Sequence, residues 1–231
     1  MQHGYLALGS NLGDRWAQLE AGRLQLQQDG RLKLAAQSRI YQSTPVGFVS
    51  RRLFLNQVVE VFWYGPVIAL LDLALEIQHA ARAKLSRAAA AKPREHLPQS
   101  AEVGLGRQPG FPGNEVLAGW LQSQPQTMSE LGEVNVLGDQ ASQLAAPASR
   151  VRQYFDRPLD IDLICLDGVR SDLPEMELPH PRAHRRAFVL LPLRELAPGL
   201  VLQGKPLDEW IATLPPEQLA DCRPVAEQVG A

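Results

Sequence analysis

Phe54-Leu55-Asn56-Gln57-Val58-Val59-Glu60-Val61-Phe62-Trp63 is the stretch from which the fold of this chain can be read. It is dense in β-branched and aromatic side chains and stops at Gly65-Pro66, so it predicts a strand. The period then changes at once. Val67, Leu70, Leu71, Ala74, Ile77 and Ala81 follow a 3.6-residue spacing, and Pro66 suits the entry of a helix.

Upstream, Tyr5-Leu6-Ala7-Leu8 reads as a short strand stopped by Gly9-Ser10-Asn11. Asp14 is placed to cap a helix reaching about Gln28, ended by Asp29-Gly30. Leu32 to Tyr41 is looser and runs into Ser43-Thr44-Pro45-Val46-Gly47, a turn or extended loop. Downstream, Leu159 to Leu166 predicts a strand closed by Asp167-Gly168. A helix is expected across Arg182 to Leu196, interrupted near Pro192, and a last one from about Leu207 to Leu214. Strands and helices alternate without regular βαβ spacing, which favours a mixed α+β sheet.

Residues 85–149 are rich in glycine, proline, alanine, glutamine and serine and read as an insertion. Within them Val116 to Leu121 and Met128 to Leu137 are apolar enough for short elements that could dock. The chain, at 231 residues, is therefore expected to be one domain over 1–231 interrupted by that insertion.

Hydrophobic residues make up 45% and charged residues 21%, which argues against disorder and against a disulfide scaffold. With 23 basic and 25 acidic side chains the net charge is −2, so no whole-chain attraction to nucleic acid is expected. Cys165 and Cys222 are too few for a disulfide framework and fit a reducing cytoplasm. No secretory leader and no membrane-spanning run is expected.

Asp160 and Asp162 are the sharpest chemical feature. A strand's period of two puts both carboxylates on one face, Cα atoms roughly 6.6 Å apart, and oxygen-only ligands suit magnesium shared with substrate phosphates. A solvated strand end is the competing reading. Arg150, Arg152 and Arg157 precede the pair, and His180, Arg182, Arg185 and Arg186 follow it. If helical, Arg182, Arg185 and Arg186 would share a face suited to clamping phosphate, although a solvated basic face is an equal reading. His184 reads as a surface residue. No phosphate loop with its lysine, no zinc-ligand spacing and no G-x-S-x-G elbow is present. The residues by themselves point to a magnesium-dependent enzyme acting on a phosphorylated small molecule.

Five segments in order, Tyr5 to Gly13, Tyr41 to Gly47, Phe54-Leu55-Asn56, Arg157-Pro158-Leu159-Asp160-Ile161-Asp162-Leu163, and Leu178-Pro179-His180-Pro181-Arg182 running to Leu190, resemble the 6-hydroxymethyl-7,8-dihydropterin pyrophosphokinase family. The resemblance covers residues 1 to about 82 and 150 to about 215. It implies a ferredoxin-like α+β core, an antiparallel or mixed sheet with helices on both faces in three α-β-α layers. It also implies transfer of pyrophosphate from ATP to a pterin hydroxymethyl group, releasing AMP, in folate biosynthesis.

By the same resemblance, Asp160 and Asp162 hold two magnesium ions, with ATP as co-substrate. Arg157, His180, Arg182, Arg186 and Gln78 fall at nucleotide-contacting positions, Arg157 also serving catalysis with Arg150 and Arg152, which match a mobile catalytic loop. Phe54 and Phe188 match aromatics that sandwich the pterin; Asn56 would read its edge, aided by the backbone of Thr44, Pro45 and Val46. Taken alone, the phenylalanines would be ordinary core residues. The chain departs from the family where Tyr154-Phe155-Asp156-Arg157 replaces Trp-Gly-Pro-Arg, and where Gln78 replaces a glutamate. A family member acting on a related pterin, and a non-catalytic pterin- or nucleotide-binding protein recruiting a partner through the insertion, are the alternative readings.

Overall fold

The computed structural model describes residues 1–91 and 155–226. In chain order these form β1 (Gln2–Ser10), α1 (Arg15–Gln28), β2 (Leu32–Gln37), β3 (Tyr41–Ser43), β4 (Phe54–Trp63), α2 (Val67–Ala91) and β5 (Asp160–Leu166). There follow a small hairpin of β6 (Ser171–Leu173) and β7 (Met176–Leu178), a 3-10 turn over Ala183–Arg185, and α3 (Ala187–Leu196). The hairpin of β8 (Val201–Leu202) and β9 (Lys205–Pro206), α4 (Leu207–Ala212), α5 (Pro216–Asp221) and β10 (Arg223–Pro224) complete them. They belong to one compact unit built from both ends of the chain.

The strand Phe54–Trp63 lies inside the sheet. It pairs antiparallel with β1 from Gln2↔Trp63 to Ser10↔Leu55, and on its other side with β2 and β3. β1 in turn pairs antiparallel with β5, giving the order β10-β3-β4-β1-β5 with β2 also on β4. The fold is thus α+β with an antiparallel sheet.

Alternation along the strands divides the apolar side chains into two cores. Leu6 and Leu8 of β1, Val59, Val61 and Trp63 of β4, and Ile161 and Leu163 of β5 pack with Leu19 and Leu26 of α1 and Leu70, Ala74 and Ile77 of α2. Tyr5, Val58 and Ile164 pack instead with Val189, Leu190 and Leu193 of α3 and Leu207 and Ile211 of α4. Each such side chain, when fully buried, contributes roughly 1.5–3 kcal/mol. Trp63 combines full burial with an indole N–H donated to the Pro66 carbonyl at 2.9 Å, which fixes the turn between β4 and α2.

The helix caps follow the sequence. The Asp14 carboxylate accepts the Ala17 amide at 3.1 Å, satisfying a first-turn donor of α1. α2 runs through Leu85 to Ala91, farther than the periodic signal, because Ala88 to Ala91 are strong helix formers that need no buried face.

Near the C-terminal end one expectation is corrected. Pro192 lies inside α3, and the break falls earlier, at Arg186, whose backbone is extended with φ −126° and ψ 109°. Arg182, Arg185 and Arg186 therefore do not share a helical face. The physical reason is local: Arg182, Ala183 and Arg186 close only a 3-10 turn, with the Arg186 amide bonded to the Ala183 carbonyl at 3.2 Å. The expected short elements within 116–121 and 128–137 lie outside the described residues. The expected helix from Leu207 ends at Ala212, and α5 follows separately after Pro215.

Candidate active site

Strand register builds the site. Gly9 of β1 is opposite Asn56 of β4 on one side and Asp160 of β5 on the other; two residues back, Ala7 is opposite Val58 and Asp162. The period of two turns all of these to the same face. Because the middle strand offers only Gly9 and Ala7 there, a hollow opens above it, lined also by Leu8, Phe54, Arg186 and Phe188. An alanine methyl at Gly9 would stand 3.4 Å from Asn56 Oδ1, 3.6 Å from Phe54 Cδ1 and 3.9 Å from Asp160 Cβ, so the glycine keeps the floor open.

The two carboxylates are held by cations from different segments. Arg157 Nη1 donates to Asp160 Oδ1 at 2.7 Å, and Arg186 Nη1 to Asp162 Oδ2 at 3.3 Å. His180 Nδ1 accepts the Arg182 amide at 3.1 Å, which leaves Nε2 to carry the proton of a neutral ring and face Asp162 Oδ2 at 3.8 Å. The same His180 is anchored through its own amide, which donates to the Ile164 carbonyl of β5 at 2.8 Å. Burial, and then the nearby Asp162 charge, push the Asp160 carboxyl above its ordinary range against the pull of Arg157. A carboxylate so placed gains from a divalent cation.

Among the described residues no three or more His, Cys, Asp or Glu side chains form a cage for a metal ion. Two aspartates on one strand face fit magnesium, which keeps several waters and completes its shell from substrate phosphates. The extended backbone at Arg186, where the helical expectation failed, is what turns this arginine into the hollow.

On the other wall, Asn56 Nδ2 donates to Ser43 Oγ at 3.0 Å and to the Tyr41 carbonyl at 3.4 Å. Its amide is thereby oriented with Oδ1 towards Gly9 and available to a ligand's donor. Phe54 is met edge-on by Phe48 at 6.2 Å between ring centres, and the Arg186 guanidinium lies 5.5 Å from the ring of Phe188. A flat heterocycle entering here meets aromatic carbon, an amide edge and, beyond them, the carboxylates.

The structure brings together Phe54, Asn56, Asp160, Asp162, Arg186 and Phe188 around the hollow, with Arg157 and His180 behind the carboxylates. Thr44, Pro45 and Val46 follow β3 in the neighbouring loop but do not line the hollow; Thr44 Oγ1 donates to Asp221 at 3.3 Å. Gln78 is buried on α2, its amide bonded to the Ala74 carbonyl at 3.1 Å, and the Arg182 amide donates to His180. Arg150 and Arg152 lie outside the described residues.

Sequence reasoning took Gly9 and Asn11 for turn residues only. Asn11 is buried and clamps the approach to β5: its Oδ1 accepts the Arg157 amide at 2.7 Å and its own amide donates to the Arg157 carbonyl at 3.1 Å. The signal was the Gly9-Ser10-Asn11 cluster directly after a strand, but only the register of β1 with β5 shows what it faces.

The chain matches the family profile described as "7,8-dihydro-6-hydroxymethylpterin-pyrophosphokinase (HPPK)" over residues 5–95 and 126–198. It is similar to the 2-amino-4-hydroxy-6-hydroxymethyldihydropteridine pyrophosphokinase of Porphyromonas gingivalis, with 32% identity over 200 residues, 85% of this chain and 91% of the relative. The proteins of that name from Methylorubrum extorquens and Bacillus subtilis are 26% and 23% identical. The first alignment covers 94% of this chain and 96% of the relative, the second 83% and 76%. With this profile spanning most of the chain and the site built from the same segments, the chain belongs to the 7,8-dihydro-6-hydroxymethylpterin-pyrophosphokinase family.

Proposed function

We infer that the chain transfers the pyrophosphoryl group of ATP to the hydroxymethyl group of 6-hydroxymethyl-7,8-dihydropterin, releasing AMP, in folate biosynthesis. Family membership supports the reaction, and one observation carries its assignment to this site: β1 register sets Asn56, Gly9 and Asp160 in a row, so that the hollow lies beside the paired carboxylates.

In this reading the pterin ring lies over Gly9 between Phe54 and Phe188, with Asn56 Oδ1 accepting from its edge and the backbone of Thr44, Pro45 and Val46 completing edge recognition. Asp160 and Asp162 would hold two magnesium ions, which supply charge neutralisation for the ATP phosphates and for the oxygen attacking the β-phosphorus. Arg157 and Arg186 orient the carboxylates through their hydrogen bonds, and both can turn donors towards phosphate oxygens. His180, as a neutral donor, adds one more hydrogen bond, while Arg182 and Gln78 extend the nucleotide side. Arg150 and Arg152 supply late positive charge from the segment before β5.

Three α-β-α layers of ferredoxin-like type account for the two cores, and residues 85–149 account for the surplus length as an insertion in a single domain over 1–231. A cytoplasmic location suits the free, buried thiols of Cys165 and Cys222. No described helix is long and apolar enough to cross a membrane.

The test is AMP release that requires both the pterin and magnesium. Asp160→Ala and Asp162→Ala should each reduce it to background while the variants still fold and bind pterin. Turnover unchanged in either variant would overturn the assignment, and tight pterin binding without AMP from the wild-type chain would favour a binding protein.

A further inference from the structure

Asp156 stands where the sequence departs from the family pattern, one residue before Arg157, and a carboxylate there would be expected to repel phosphate. The structure gives it other work. Arg52 Nη1 donates to Asp156 Oδ2 at 2.7 Å and Asn11 Nδ2 to Asp156 Oδ1 at 2.7 Å. A hydrogen bond from Ser50, together with those from Arg52 and Asn11, holds the carboxyl below the usual carboxylate range despite some burial. Three segments therefore meet at one side chain: the loop between β3 and β4 through Ser50 and Arg52, the end of β1 through Asn11, and the approach to β5.

That loop carries Phe48, whose ring sits edge-on against Phe54 of the hollow, and its far end is tied down where Arg15 Nη1 donates to the Leu53 carbonyl at 2.8 Å. Within this loop Arg52 pairs with Asp156 and Ser50 hydrogen-bonds it. The loop beside the aromatic wall is thus joined to a carboxylate from the other side of the site.

We propose that Asp156 is a positioning residue for the pterin: by gripping Ser50 and Arg52 it holds the β3–β4 loop so that Phe48 backs Phe54 and the pterin pocket is preformed. This rests on the pyrophosphokinase reading. On its second oxygen Asp156 engages Asn11, which fixes the Arg157 backbone, so the same carboxylate serves both halves of the site. Arg52 serves only the pterin half.

This division sets the experiment, steady-state AMP release with each substrate varied in turn. Arg52 is largely exposed, so its pair with Asp156 is in the range of surface ion pairs, equivalent to about a two- to fivefold effect. Arg52→Ala should raise the KM for the pterin by that factor and leave the KM for ATP within error. Arg52→Lys, which keeps the charge, should recover most of the loss. Asp156→Ala should raise the pterin KM at least as much, and the Arg52→Ala/Asp156→Ala double variant should be no worse than Asp156→Ala alone. Multiplying effects in the double variant, an unchanged pterin KM in Arg52→Ala, or a loss confined to ATP would each overturn the proposal. Failure of the wild-type chain to release AMP would instead overturn the pyrophosphokinase reading, and direct pterin titration of the same variants would still decide the role of Asp156.

Discussion

Two glycines of β1 separate what the fold requires from what the site requires, when each is replaced by alanine. At Gly4 the new methyl would lie 2.2 Å from the Cys165 carbonyl oxygen and 2.9 Å from Leu166 Cα, both backbone atoms of β5. No side-chain rotation can relieve that, so Gly4→Ala must push the strands apart, at an overpacking cost of about 1–3 kcal/mol. For a chain of this length that lowers the unfolding midpoint by several degrees, at about 2–4 °C per kcal/mol. At Gly9 the closest atoms are 3.4 to 3.9 Å away and φ is not positive, so an alanine there fits the folded chain. It should even stabilise the strand by about 0.5–1 kcal/mol through reduced chain entropy. Its methyl, however, occupies the floor on which the pterin is placed. Displacing the ring by one methyl costs about 1–3 kcal/mol of binding, roughly a 5- to 150-fold weaker affinity. Thermal unfolding followed by pterin titration reads both quantities on the same samples. A Gly9→Ala protein that unfolds at or above the wild-type temperature and binds pterin as tightly as wild type would refute the placement of the ring over Gly9.

Two further outcomes can be checked with the same equipment. His3 Nε2 donates to Glu60 at 2.7 Å and Nδ1 to Asp167 at 3.0 Å; burial opposes the charged ring, but these two carboxylates outweigh it and raise the His3 pKa. A raised folded value means stability that is full below about pH 6.5 and lost as pH climbs through the folded pKa. His3→Gln should thus unfold more readily than wild type at pH 6, by no more than about 1 kcal/mol for so exposed a cluster, and equally at pH 9; a difference independent of pH would count against it. Asn56→Asp replaces a buried donor with an acceptor facing Ser43 and the Tyr41 carbonyl, and urea titration should show a loss of about 1–3 kcal/mol together with weaker pterin binding.

Much of the framework was legible along the chain. The strand Phe54–Trp63, the cap at Asp14 and the stop after Leu166 depend on composition and on neighbours within a few residues, where propensity and turn chemistry decide the outcome. The Asp160/Asp162 pair was legible for the same reason, since a period of two is a property of any strand. The reading failed where a turn's own hydrogen bonds or distant partners made the choice. Pro192 looked like the break in the last long helix, yet the break falls at Arg186, where a 3-10 turn closes on the Ala183 carbonyl. β2 and β3 carry weak patterns and gain their form from β4.

Asp156 shows the division most sharply. In the sequence it is an added negative charge beside a phosphate site; in the structure Ser50, Arg52 and Asn11 surround it and convert it into an anchor. The sequence by itself determined which side chains were available, the order of strands and helices, and the spacing that puts two carboxylates on one face. The tertiary structure alone decided that Gly9 lies between Asn56 and Asp160, because antiparallel register is set by pairing between residues that are tens to more than a hundred positions apart. A local pattern specifies which face a side chain takes; only the pairing specifies what it meets there.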